Sequence, residues 1–382
     1  MNQNMKQISI RISLIVLALI INWNVIEAQN DGNNAITTAA PFLNINPDSR
    51  AAGMADAGVA TSPDMNSQFL NPAKYAFIDG EMGVSISFTP WLRKLVNDIN
   101  MSTATFYYRL DKMQTVSASL RYFSLGEITF SNGPNDPGYQ GKPNEFALDA
   151  AYARVLSDKF SGAVAFRYIF SDLTNGYSNT GETLQPGHAF AADIAFYFKQ
   201  PMRVNRNDAQ FTAGINISNI GSKISYDGIN KEYIPTNLKL GTGYEMELDK
   251  YNSIAFALDI NKLLVPSNQP ANEDGTDPND SKSVPAAIFG SFSDAPGGFE
   301  QELQEVTFSV GAEYWYDKQF AIRAGYFHEH ENQGNRKFAS AGFGLKFNMF
   351  TLDASYIIPM VQNNPLANTM RFSLSFDLSD MR

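Results

Sequence analysis

Histidine is the scarcest reactive side chain here: His188, His328 and His330 are the only three in 382 residues, and there is no cysteine. The run His328-Glu329-His330-Glu331 has metal-like spacing, because two histidines at i and i+2 on a strand share one face. No third histidine and no thiol stands near it, and it falls at the edge of an expected loop. It therefore reads as a solvated turn, and no metal is expected. A hydrolase needs a serine, a base and an orienting carboxylate, and no Gly-x-Ser-x-Gly elbow stands out. His188, at the start of an expected strand, is the one candidate base for a lipid deacylase built on strands. Gly241-Thr242-Gly243 lies inside an alternating segment, where glycine marks a close backbone approach and not a phosphate loop. No catalytic residue and no cofactor is assigned, and the chain is read as non-enzymatic.

Binding is the better prospect. Residues 262–304 form the longest polar stretch, with Pro266, Asn268, Pro270, Asn272, Glu273, Asp274, Asp277, Asn279 and Asp280. Their spacing matches no recognised calcium loop. The stretch then turns apolar at Ala286-Ala287-Ile288-Phe289-Gly290-Ser291-Phe292, so Ile288, Phe289 and Phe292 are the candidate docking patch for another protein. Packing of the same residues over the rest of the fold is the competing reading.

The elements that must carry these residues follow from periodicity. Phe146, Leu148, Ala150 and Tyr152 alternate with Ala147, Asp149, Ala151 and Ala153, and Phe372, Leu374, Phe376 and Leu378 alternate with Ser373, Ser375 and Asp377. Strands are expected at 82–90, 102–110, 113–123, 145–155, 159–171, 188–198 and 209–219. Seven more are expected at 236–247, 251–261, 305–316, 319–328, 337–347, 350–357 and 369–378. Tight turns such as Asp111-Lys112, Asp249-Lys250 and Asp317-Lys318 alternate with long polar connections, 199–208 being the one longer member of the short class. That regularity predicts an all-β fold, a 14-stranded antiparallel transmembrane β-barrel with short periplasmic turns and long outer loops. Secondary candidates for partner contact are loops 124–144 and 172–187. Tyr314-Trp315-Tyr316, Phe196-Tyr197-Phe198 and the pair Phe347 and Phe350 are expected as an aromatic girdle. Asp149, Arg167, Asp193, Lys239, Asp259, Arg323, Lys346 and Asp353 are expected to face a wet lumen, since a dry core would make them costly.

Residues 1–28 read as a secretory signal, with Lys6 and Arg11 ahead of the apolar run 12–21 and Ala28 before the cut. Residues 29–81 fit no strand pattern and are expected as a lumen plug, leaving 82–382 for the barrel. Only 18% of residues are charged, while 13% are aromatic, which suits a lipid-facing surface. Formal charge is −10, and removal of Lys6, Arg11 and Glu27 leaves −11, so nucleic acid is not an expected partner.

Two blocks carry a family resemblance. Ala40-Pro41-Phe42-Leu43-Asn44-Ile45-Asn46-Pro47-Asp48-Ser49-Arg50-Ala51-Ala52-Gly53-Met54 and Asp64-Met65-Asn66-Ser67-Gln68-Phe69-Leu70-Asn71-Pro72-Ala73-Lys74-Tyr75-Ala76-Phe77 resemble the PorV (LptO) family of the Bacteroidetes type IX secretion system. Asn71-Pro72-Ala73 also resembles the hatch element of the wider FadL family. The resemblance implies a FadL-like barrel in the cell outer membrane, in contact with membrane lipid and lipopolysaccharide. It also implies a carrier that binds cargo bearing a C-terminal secretion domain as it leaves the translocon barrel (SprA, or Sov) and delivers it to a PorU-like attachment complex. A FadL-like transporter of hydrophobic small molecules and an outer-membrane lipid deacylase are the alternatives.

Overall fold

The computed structural model describes residues 34–379 apart from 95, 132–137, 177–183, 273–275 and 362–365. The expected signal peptide, 1–28, lies outside the described residues, as do Glu273, Asp274 and parts of loops 124–144, 172–187 and 358–368.

The strands are β1 (Met82–Pro90), β2 (Asn100–Arg109), β3 (Gln114–Ser124), β4 (Ile128–Phe130), β5 (Tyr139–Gly141), β6 (Asn144–Ser157), β7 (Phe160–Asp172) and β8 (Gly187–Val204). They continue with β9 (Asn207–Gly221), β10 (Asn237–Glu247), β11 (Asn252–Leu263), β12 (Thr307–Tyr316), β13 (Phe320–His328), β14 (Phe338–Phe347), β15 (Phe350–Pro359) and β16 (Met370–Asp377). Fourteen of them close into one antiparallel barrel, with β1 pairing both β2 and β16, and β4–β5 form a separate hairpin. Closure leaves no sheet edge, which a bilayer requires because lipid offers no hydrogen bonds to an unpaired backbone.

Alternation sorts the two faces. On β1, Ser85, Ser87 and Thr89 are buried while Ile86 and Phe88 are exposed, and β16 repeats this with Arg371, Ser373 and Ser375 inside and Phe372 and Leu374 outside. The strongly exposed Phe166, Phe190, Ile322 and Phe343 belong to the same outer, lipid-facing surface. The connection expected at 199–208 is tight after all: β8 runs on to Val204, β9 begins at Asn207, and only Asn205 and Arg206, both at positive φ, turn the chain. Such a left-handed pair matches the twist of the hairpin it joins.

Parity also corrects the girdle. Tyr197 shares the inner face with Asp193 and Ala195 and is fully buried, and Trp315 shares it with Glu313, its ring lying 5.5 Å from the Arg323 guanidinium. Phe196, Tyr316, Phe347 and Phe350 do face outward at the turn side. A second aromatic group sits at the loop side, where Phe146, Tyr168, Phe170 and Phe190 pack together with His188.

Residues 39–78 lie against the inner wall. Inward glycines leave room for the segment: a Cβ on Gly241 would come within 2.8 Å of Val59 Cβ, and one on Gly325 within 2.6 Å of Ala55 N. Helix α1 (Ser49–Gly53) is capped by Asp48, whose side chain accepts from Arg50 N and Ala51 N. Side chains around the whole barrel meet the segment's backbone: Thr105 on Met65 O, Thr115 on Tyr75 O, Ser161 on Ala73 O, Thr212 on Ala60 O, Asn216 on Leu70 O and Arg121 on Leu43 O. At the loop end, Phe42 and Leu43 join Met101, Phe123, Ile169, Ile224 and Ile234 in an apolar cluster.

Candidate functional site

Two places gather functional side chains: the inner wall and the connection between β11 and β12. On the inner wall most of the charges expected around the lumen are buried and specifically paired. Glu313 bridges Arg50, at 2.7 Å from Nη2, and Arg323, at 2.6 Å from Nε, while Arg323 Nη1 reaches Asp353 at 2.7 Å. Arg167 pairs with Asp149 and with Asp193 at 3.0 Å. Asp259 accepts from Gly58 N at 2.7 Å and Val59 N at 2.9 Å, and Arg371 holds Asp56 at 2.7 Å. Lys239 and Lys346 have inward parity, with Lys346 exposed at the turn-side rim. Glu313, Arg121, Glu145 and Arg371 were missed by sequence reasoning, although each shares the parity of an inward neighbour. Asn71 caps the turn Pro72–Phe77, accepting from Ala73 N at 3.0 Å and donating to Val59 O and Phe196 O, each at 3.0 Å. These hydrogen bonds make Asn71-Pro72-Ala73 a fastening between segment and wall.

The β11–β12 connection occupies 264–306, so Lys262 belongs to the strand and not to the loop. It contains α2 (Val284–Gly290) and α3 (Phe299–Gln304). In α2, Ala287 and the following Ser291 are buried at i and i+4, which turns Phe289 and Phe292 to the other side, 79% and 50% exposed. Ile288 is half-buried, so the expected patch is split: two of its three residues are free and one is spent on packing.

Helix α3, in the same connection, exposes further apolar residues that sequence reasoning did not single out. Glu302 and the adjoining Glu305 are buried against Lys262 Nζ at 2.9 and 2.7 Å, and Glu302 also accepts from Ala295 N at 2.8 Å. Phe299 and Leu303, at i and i+4, are nonetheless 76% and 57% exposed. An ordinary surface helix buries its apolar stripe and wets its charges; α3 does the reverse. By strand parity Lys262 continues the outward row Phe256, Leu258 and Ile260, so this ion cluster sits on the outer side of the rim.

Neighbouring loops fix the platform. Tyr233 Oη donates to Lys282 O at 2.7 Å, Lys223 Nζ donates to Asp280 O at 3.0 Å, and Asn332 Nδ2 donates to Gln304 Oε1 at 3.2 Å. Asn268 Nδ2 reaches Ala35 O at 3.0 Å, tying the loop to the N-terminal segment. Burial pushes the Tyr233 phenol up to about 12. In the adjacent loop, N–H groups of Ile229 and Asn230 hold the Asp227 carboxyl below the usual carboxylate range.

The histidines have local partners. His188 faces outward and meets the Tyr168 hydroxyl at 2.8 Å, not a serine. His328 stacks on Phe308 at 4.8 Å, whereas His330, beyond the end of β13, accepts from Asn332 N and caps the turn Glu331–Gln333. The strand ends between them, so they do not act as a ligand pair. Among the described residues no group of three or more His, Asp or Glu side chains is arranged to hold a metal.

Comparison with solved structures returns barrels. The Ralstonia pickettii toluene transporter TbuX is 11% identical with a TM-score of 0.47, over 87% of this chain and 98% of that one. A Pseudomonas aeruginosa FadL homologue is 11% identical at 0.45, over 90% and 99%, and LpxR from Salmonella typhimurium is 6% identical at 0.33, over 77% and 99%. At these identities the likeness concerns the fold alone. A comparison with curated proteins finds no relative. The model of the family described as type IX secretion system protein PorV matches residues 27–270, well over half of the sequence, and the chain belongs to this PorV family.

Proposed function

We propose that the protein is a non-enzymatic carrier: it receives secreted cargo through the cargo's C-terminal signal domain at the translocon and passes it to the cell-surface attachment complex. Family membership supports a place in type IX secretion. The observation that carries the finer reading is helix α3, where a buried lysine and two glutamates are paired while Phe299 and Leu303 stay in the open, in the same β11–β12 connection as the exposed Phe289 and Phe292. A few aromatic anchors commonly dominate the energy of an interface. The N-terminal segment acts in this reading as a plug, with Asn71, Pro72 and Ala73 fastening it, so that the barrel offers a surface and conducts nothing.

The test is binding of a purified C-terminal signal domain to the barrel in detergent, before and after Phe289, Phe292 and Phe299 are replaced by Ser. Loss of binding with the barrel still folded supports the carrier. Unchanged binding refutes this patch, and a fatty acyl chain co-purifying inside the barrel would favour a transporter.

A further inference from the structure

The N-terminal segment enters the lumen from the loop side, which faces the cell exterior. Residues 34–39 lie among the outer loops as a strap. Asn34 N–H donates to Asn332 O at 2.8 Å, Asn268 Nδ2 donates to Ala35 O at 3.0 Å, and Ala39 N–H donates to Tyr233 O at 2.9 Å. The strap passes through Ala40, at φ 49°, into the buried Phe42 and Leu43. The other end of the segment is at the tight turns, where Glu81 N–H donates to Ser379 Oγ at 2.7 Å and Glu81 O accepts from Arg109 N–H at 2.7 Å. The segment therefore runs the length of the barrel, with residues 34–39 fastened outside.

Two residues that hold this strap also hold the platform of α2 and α3. Tyr233 accepts from Ala39 on its carbonyl, while its hydroxyl donates to Lys282 O, just ahead of α2. The Lys223 ammonium lies 4.0 Å over the same ring and donates to Asp280 O, so the ring is tied to the connection twice. Asn332 accepts from Asn34 on its carbonyl, while its side chain donates to Gln304, the last residue of α3. In both residues one end serves the strap and the other the platform, so displacing either contact moves the other. The joint at Ala40 is an independent observation. A left-handed backbone is costly for alanine and persists where its surroundings fix it. Here the Ala39 hydrogen bond fixes it on one side, and Phe42, stacked on Phe123, fixes it on the other. A released strap gains by relaxing this residue, which gives the joint two distinct arrangements.

We propose that strap and platform form one coupled device, in which fastening residues 34–39 orders α2 and α3, and ordering α2 and α3 fastens the strap. Such coupling acts equally in both directions. Where cargo docks on the platform, a corollary that rests on the carrier reading, the loaded barrel holds its strap more firmly than the empty one.

The experiment uses the full mature barrel in detergent, without cargo, read by hydrogen exchange and mass spectrometry. Tyr233→Phe with Asn332→Ala removes the hydroxyl and the side-chain amide that reach the platform and leaves both carbonyls that receive the strap. Exchange should quicken across 277–304 and also, by at least about fivefold, across 34–39, the low end of ordinary coupling. Deletion of 34–39 should quicken exchange across 277–304 by a similar factor. Asn332→Ala alone serves if the double variant loses folded gel mobility, and it should quicken exchange at Asn34 and across α3. Unchanged exchange across 34–39 in either substituted barrel, or across 277–304 in the deletion, overturns the coupling. Because cargo is absent throughout, that failure leaves the carrier reading intact.

Discussion

The inner wall and the outer platform both bury ion clusters, and they use them in opposite ways. Inside, Glu313 joins Arg50 of the segment to Arg323 of the wall, and the segment's apolar groups, such as Met54 and Tyr75, are buried along with the charges. Outside, Lys262 holds Glu302 and Glu305 beneath α3 while Phe299 and Leu303 remain in the open. The first arrangement completes a core. The second leaves apolar area uncovered at the expense of desolvated charge, which a chain folding for its own stability gains nothing by doing.

The contrast can be broken first at Glu313. Glu313→Ala takes one of two carboxylates from each of two guanidiniums, leaving Arg50 with Asp64 and Arg323 with Asp353, and losing one partner of a buried pair costs up to about 3–5 kcal/mol. A matching drop in urea stability and increased ion leakage through reconstituted barrels are expected; unchanged leakage would show that this clamp does not govern conduction through the lumen. Next, the Phe289, Phe292 and Phe299 to Ser triple should weaken signal-domain binding about a hundredfold, or about 2.7 kcal/mol, at unchanged barrel stability. Lys262→Met should leave the barrel's stability nearly intact but loosen α3, because Glu302 and Glu305 lose their counter-charge; faster proteolysis within 264–306 and binding weakened about tenfold, or about 1.4 kcal/mol, are expected. The smallest effect belongs to Asp227. Its carboxyl is depressed in the folded loop, so its contribution is present above the ordinary carboxylate range and is lost as pH falls through the lowered value. Amide exchange at Ile229 and Asn230 should quicken only in acid, with no change near neutrality.

These two regions were not equally readable. The strand number, and most strand ends to within two residues, follow from period-two alternation, because a lipid-facing row and a small or polar inward row cannot exchange without turning every side chain over. The same parity already placed Tyr197 and Trp315 inside; the girdle expectation failed by weighing their proximity to a turn above their position in the strand. The extension of β8 to Val204 was hidden because Lys199, Gln200 and Arg203 look like loop. At the platform, Phe289 and Phe292 stood out within an apolar run, but Phe299 and Leu303 sit among Glu300, Gln301 and Glu302 in a six-residue helix too short for its pattern to show. Their exposure depends on Lys262, roughly forty residues earlier. The lumen pairs depend on separations such as Arg50 to Glu313, which no local pattern encodes.

The most direct test of the carrier reading places a photo-crosslinking phenylalanine analogue at position 299 and, as a control, at the lipid-facing position 166, in native outer membranes. The account predicts adducts at 299, but not at 166, with proteins bearing a C-terminal secretion domain. Adducts at 299 with lipid alone, indistinguishable from those at 166, would contradict it.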